Sequence, residues 1–360
     1  MATYRLAERR AAIQRGMEFI YAIARKPRHF SKCSDDLLYF FYHVAVTARD
    51  RNLRTMARTM GEESFSRWRN KYQSLPVKAD PDTIIDYFHA DSTAEQFGRR
   101  NRKLKRQLRE AAKDFTAADF LWFDPLNEAP PDDVPELCDY CDSWNPRGRK
   151  RCSNCRRQLK MMTRYQVWYY SLIRAYCAAT YGIVLGASYT DVLNWLPALR
   201  PYPSSQEVER ADFEDSIYAI SHIVYTLNDY GKYLLSPRWL PEEYEFLKAN
   251  VREAVALNDP DMTGEMLDSL MAFGLTEKDA VIREGIDYLL SCQNGDGSWG
   301  SIDTDDLYCK YHPTWSAVDG LREFAWRGEG LKFPSVLPLL ESWAQSTARD
   351  GRSPTSAAIV

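Results

Sequence analysis

The chain has 360 residues, 45% of them apolar and 27% charged, and a formal net charge of -3. That length and apolar content exclude disorder as the main state and allow one large domain or two small ones. The near balance of charge excludes a general polyanion binder, and apolar stretches such as residues 37–46 are far shorter than the roughly 20 residues that span a bilayer. The opening MATYRLAERRAAIQRG is amphipathic and Arg-rich rather than a charged cap before an apolar run, so it is not a secretory leader. The expectation is a cytoplasmic protein without a membrane span.

In chain order, residues 6–24, 35–48, 51–72, 94–122, 162–180, 213–228, 240–257, 262–273, 277–292, 313–326 and 334–346 carry apolar residues at helical spacing and predict helices. No stretch alternates as a strand outside the cysteine-rich segment. Pro-rich or Gly-rich punctuation falls at 125–135, 201–205, Asp259-Pro260 and 294–300. The tail from Ala344 is polar and predicted to be loose. The fold class is therefore all-α.

Charge is uneven along these elements. One basic run holds Arg99, Arg100, Arg102, Lys103, Lys105, Arg106 and Arg109; a second holds Arg147, Arg149, Lys150, Arg151, Arg156 and Arg157. A solvated helix face and a charged loop account for them, and nucleic-acid contact is the sharper, less favoured reading.

The eight cysteines divide into two groups. Cys138, Cys141, Cys152 and Cys155 form C-x2-C-x10-C-x2-C, in which each pair offers two thiolates from one tight knuckle to a tetrahedral zinc ion. All four positions are thiolate, no coordination site stays open, and the zinc is expected to be structural. The string CDYCDSWNPRGRKRCSNC resembles small zinc ribbons of the RanBP2 type; where that family often carries Trp before the first Cys, this chain has Glu136. Cys33, Cys177, Cys292 and Cys309 are scattered and expected to be reduced.

Internal repetition points to architecture. Gly16-Met17-Glu18-Phe19-Ile20 is echoed by Gly285-Ile286-Asp287-Tyr288-Leu289, and the second copy leads into Gln293-Asn294-Gly295-Asp296-Gly297-Ser298-Trp299-Gly300. This last string resembles the QW-type motif of the superfamily of squalene-hopene and terpene cyclases and protein prenyltransferase beta subunits. The resemblance implies a single α/α toroid of helical hairpins with the active site in its central cavity. Residues 1–125 would form the first part of the toroid, 134–160 the inserted ribbon, 161–346 the second part and 347–360 a flexible tail.

Asp303-Thr304-Asp305-Asp306 has the D-x-D-D spelling of the class II cyclase acid, which makes Asp305 and Asp306 candidate proton donors. The following helix is expected to start at Pro313, the favoured first position, which leaves the acids in a loop. A prenyltransferase-like zinc site takes an Asp, a nearby Cys and a distant His; Asp306, Cys309 and His312 offer those atom types without the D-x-C spacing. A solvated acidic loop is the plain alternative.

Two further patterns carry candidate chemistry. Glu265 and Asp268 share one face of the short inner helix read over 261–273, where a carboxylate serves as metal ligand or general base, or both acids are exposed first-turn residues favoured by the helix dipole. D-x-x-Y-x-x-x-H occurs as Asp36/Tyr39/His43, Asp215/Tyr218/His222 and Asp305/Tyr308/His312, the last spelling interrupted by Pro313. Toroid closure would bring His43, His222 and His312 to one mouth as metal ligands or proton carriers; satisfied core histidines are the alternative.

The expected function is an enzyme of the cyclase/prenyltransferase-like class acting on a small, hydrophobic substrate, a reading also favoured by 10 Trp, 22 Tyr and 15 Phe. A metal-dependent enzyme on a non-isoprenoid substrate, with a second metal in the cavity, is the alternative. A non-enzymatic nucleic-acid or protein-binding module using the ribbon and basic helix is the third. Reaction, substrate and oligomeric state are not specified by the sequence.

Overall fold

Proline at the first helical turn and a carboxylate or hydroxyl just before it recur along the chain, and they start the helices seen in the computed structural model, which describes residues 4–71, 73–141 and 143–349. The helices are α1 (Leu6–Ala24), α2 (Pro27–Thr47), α3 (Arg51–Lys71), α4 (Pro81–Gln96), α5 (Arg102–Ala111), α6 (Ala117–Leu121), α7 (Arg164–Tyr181), α8 (Tyr189–Leu193), α9 (Leu196–Leu199), α10 (Arg210–Leu227), α11 (Pro241–Ala256), α12 (Pro260–Ala272), α13 (Ala280–Ser291), α14 (Leu307–Leu321) and α15 (Leu337–Arg349). Among the described residues there is no strand, only isolated bridges. The all-α expectation holds. No helix among the described residues is long and apolar enough to cross a membrane.

The chain divides into two compact units, one made of Met1–Trp68 with Val224–Val360 and the other of Arg69–Ile223. In the first, α12 lies along α14 at unusually short range. A Cβ on Gly264 would stand 2.3 Å from the Ser316 carbonyl oxygen, and one on Gly320 would stand 2.9 Å from the Gly264 Cα. Only glycine permits that approach. α1 packs on α14 through Gly16, which faces Trp299, Val318 and Thr314.

The 293–300 segment fastens this arrangement. Gln293 Nε2 donates to the Ala12 carbonyl at 2.9 Å and to the Gly297 carbonyl at 3.0 Å. Trp299 is fully buried, and its Nε1 donates to the Leu289 carbonyl at 2.7 Å. Gln293 thus ties the α13–α14 connection to the first helix and Trp299 ties it back to α13, the two satisfying backbone carbonyls that burial would otherwise leave unpaired.

In the second unit α7 is central: Trp168 donates from Nε1 to the Val192 carbonyl at 2.8 Å, and Ser171 to the Leu121 carbonyl at 2.7 Å. Arg174 donates to the Phe120 carbonyl at 2.7 Å and to Asp82 at 2.9 Å, with its guanidinium 3.9 Å from the Trp122 ring.

Several predicted boundaries need correction. The single helix expected over 94–122 is broken after α4 by Gly98, whose φ is +81°, and again by the Thr116–Asp119 capping box that starts α6. α4 itself was not anticipated, although Asp80 caps it and Pro81 opens it. α14 starts at Leu307 rather than Pro313, because Asp306 accepts the Cys309 N–H at 3.0 Å and Pro313 is accommodated inside the helix. α15 runs to Arg349, past the expected loose start at Ala344; residues 350–360 of the expected tail lie outside the described residues.

Candidate metal centre

α12 begins where Asp259 caps it, accepting the N–H groups of Asp261 at 3.1 Å and Met262 at 3.0 Å. This start sets Asp261, Glu265 and Asp268 at intervals of four and three, one stripe on the helix. The facing stripe on α14 holds His312, Ser316 and Asp319 at the same intervals. Because Gly264 and Gly320 draw the two backbones together, these polar stripes meet inside the unit.

At one end His312 Nδ1 lies 3.0 Å from Asp261 Oδ1 and 3.0 Å from Oδ2, and its Nε2 is 3.9 Å from Glu265 Oε1. Ser316 Oγ donates to Asp261 Oδ1 at 2.6 Å, fixing that carboxylate. One donor atom from each of Asp261, Glu265 and His312 falls within 4.8 Å of the others. Burial disfavours a charged imidazole here, but Asp261, by charge and hydrogen bond, with Glu265 behind it, raises the ring to about 9. Tyr308 stacks on His312 with ring centroids 4.4 Å apart.

Further along the stripe Asp319 accepts from Trp315 Nε1 at 2.8 Å and pairs with Arg322 Nε at 2.8 Å. Arg322 is fully buried and also contacts Thr47 and His43. Burial, followed by the charges of Arg322 and Lys232, holds His43 well below its usual value, so it is neutral. Beside these groups run aromatic rings: Tyr39 is 5.0 Å from Tyr230 and 6.2 Å from Trp315, and Trp315 is 6.0 Å from His312. Tyr39, Tyr230, Trp315 and His312 are only partly buried, unlike Phe40, Tyr42 and Ser316 next to them, so solvent reaches this aromatic wall.

The predicted site residues are distributed unevenly. Glu265 and His312 come together, joined by Asp261, which the sequence reading had not singled out as a ligand. Glu265 and Asp268 are 3% and 2% exposed, so they are not the solvated first-turn acids of the plainer reading. His43 belongs to the Arg322 network one turn on. His222 lies in the other unit, stacked on Tyr169 at 5.0 Å with Nδ1 2.7 Å from the Tyr218 carbonyl. Asp305 and Asp306 are exposed, Asp306 as the cap of α14.

The cysteine segment forms its own cluster in the second unit. Cys138, Cys141, Cys152 and Cys155 bring their Sγ atoms within 4.8 Å of one another, with Cys138–Cys155 and Cys141–Cys152 both at 3.5 Å. Asn145 braces it, accepting from Ser153 N at 2.8 Å and donating to the Ser143 carbonyl at 3.0 Å. Backbone N–H groups of Cys155 and then Asn154 lower Cys152 to about 6, favouring the thiolate a metal binds. Of the second basic run, Arg147 is occupied by Glu128 at 2.9 Å and by Asp133 at 2.5 Å.

Compared with known proteins, the chain matches no protein family, no curated protein and no solved structure. The functional reading rests on the geometry above.

Proposed function

We propose that the chain is an enzyme whose active centre is formed by Asp261, Glu265 and His312, which hold one divalent cation, and that it acts on a small molecule with an apolar body. The convergence of two carboxylates and an imidazole from two closely packed helices carries this reading. Oxygen and nitrogen donors of this kind suit a hard or borderline ion, and three protein ligands leave positions for substrate. Such an ion supplies Lewis acidity at the centre. Ser316 orients Asp261, Tyr308 fixes the His312 ring plane, and Tyr39, Tyr230 and Trp315 offer an apolar wall to the rest of the substrate.

The Asp-and-distant-His combination implied by the prenyltransferase-like resemblance is supplied in this reading by Asp261 and His312, with Glu265 in place of the cysteine. The anchoring of Gln293 and Trp299 supports the α/α-toroid assignment, since it gives both name-giving residues of the QW-type string a structural task. For the four cysteines we infer a structural zinc, because the donor set is all thiolate and leaves no open position.

The test is metal content of the full-length protein after exposure to Mn2+ and removal of the excess. The wild type should retain Mn2+ that Asp261→Asn and His312→Ala lose while the zinc content of all three is unchanged. A folded wild type that retains no Mn2+ contradicts the reading.

A further inference from the structure

α5 is an amphipathic helix whose outer face is almost wholly cationic. Its sequence RKLKRQLREA turns Leu104 and Leu108 inward, where both are fully buried, and leaves Arg102, Lys103, Arg106, Arg109 and Glu110 exposed. Arg99 and Arg100, just ahead of the Asn101 cap, are exposed as well. Residues three and four apart are neighbours on a helix surface, so Arg102, Arg106 and Arg109 form a row with Lys103 beside it.

The acids nearby do not neutralise this row. Glu95 takes Lys105 at 2.5 Å and lies 3.6 Å from Arg100. Glu110, the one acid of α5, pairs with Lys113 at 2.8 Å, and Arg109 donates from Nε to the Gly182 carbonyl at 3.1 Å. Arg99, Arg102, Lys103 and Arg106 form no ion pair among the described residues. The first turn of α5 contains no acid and begins with Arg102 and Lys103, against the sign that the dipole favours at that end. Like charges at these intervals weaken a helix further. In a chain of net charge -3 the local surplus does not reflect overall composition; it is a cost to this element that a bound polyanion removes. The second basic run differs, because Arg147 is held there by Glu128 and Asp133, and Lys160 lies 3.5 Å from Asp139.

The chemistry of the face selects the polyanion. A helix that lies on a membrane inserts apolar side chains between the lipids, and both leucines of α5 are buried in the protein. A single-stranded nucleic acid is held by stacking on aromatic rings, and the exposed positions of α5 hold none. What remains is a row of cations suited to a row of phosphates. The 10 residues of α5 span about 15 Å, over which a duplex carries about nine phosphate charges, enough to pair every cation of the row.

We propose that the exposed face of α5, with Arg99, Arg102, Lys103 and Arg106 as its contacts, docks the chain on the phosphate backbone of a double-stranded nucleic acid. Contacts of this kind position the protein and read no base sequence. The face belongs to the second unit and the Asp261 centre to the first, so the proposal does not depend on the metal reading.

Fluorescence anisotropy of a short labelled duplex DNA, titrated with the full-length protein at several salt concentrations, tests this. Four phosphate contacts give a slope of about -3.6 in log affinity against log salt. The double variant Arg102→Gln/Arg106→Gln should bring the slope to about -1.8 and weaken binding about tenfold or more at low salt. Its melting temperature should equal or exceed that of wild type, since a like-charge pair is gone and no ion pair is lost. A wild type that leaves the duplex unbound at low salt, or a variant that keeps the wild-type slope, overturns the proposal. A variant that melts lower shows the two arginines serving the fold instead. Tighter binding to the corresponding single strand also contradicts a duplex backbone as the target. Vesicles containing phosphatidylserine are the second probe; association with them that the substitutions remove, with the duplex left unbound, assigns the face to a membrane.

Discussion

His312 of α14 places Nδ1 3.0 Å from both carboxylate oxygens of Asp261 on α12, so a single ring bridges the two most closely packed helices of its unit. The pair has a consequence for stability. The ring titrates near 9 in the folded chain against an ordinary 6.5. Its stabilisation, on the order of 3 kcal/mol, is therefore complete below about 6.5 and disappears as pH rises through about 9. Melting temperature should fall over that window in metal-free wild type. His312→Gln should flatten that part of the curve; an unchanged profile speaks against the ion pair.

Metal and proton compete for the same imidazole. Mn2+ affinity should accordingly rise about tenfold per pH unit from 6.5 toward 9 and level off above it. Calorimetric titration at several pH values reads this directly. A flat affinity across that range indicates that His312 is not a ligand.

Gly264→Ala tests the helix contact that brings the donors together. The added methyl meets the Ser316 backbone at 2.3 Å, with no flexible side chain to yield. A loss of about 1–3 kcal/mol or more is expected, together with weakened Mn2+ retention as the helices part. Gly274→Ala serves as the control for glycine loss, since nothing lies within 4 Å of a Cβ there, although its φ of +93° adds local strain. A Gly264→Ala protein no less stable than wild type removes the close approach from the account.

Cys152→Ser should lower zinc content and melting temperature together, because binding energy at an all-thiolate site is folding energy. The four cysteines lie in the second unit and the Asp261 centre in the first, so Mn2+ retention by the folded fraction should be unaffected. A zinc-free Cys152→Ser protein of wild-type stability excludes a structural metal.

Part of this was legible in the sequence. The cysteine spacing named its cluster residue by residue, since two C-x2-C knuckles leave few ways to fold, and α1 was bounded correctly by its apolar period. Glu265 and His312 were picked out singly, by a carboxylate on an apolar helix and by a scarce histidine. Their partner Asp261 was missed because the face was read only from Glu265 to Asp268 and Asp259-Pro260 only as punctuation; as the cap and first turn of α12 they place Asp261 four residues before Glu265, on the same face. His312 was read as lying outside a helix because Pro313 was treated as a start, whereas α14 begins six residues earlier at the Asp306 cap and accommodates Pro313 in its interior. The meeting of His312 and Ser316 with Asp261 depends on which residues of α12 and α14 face each other. That register is set by contacts at Gly264 and Gly320, which no local pattern displays.

The most direct test of the metal centre is an anomalous difference map from crystals of the full-length protein grown with Mn2+. The account predicts a peak roughly 2–2.5 Å from a carboxylate oxygen of Asp261, a carboxylate oxygen of Glu265 and a ring nitrogen of His312. A map with the zinc peak at the four cysteines and no density between those three side chains contradicts it.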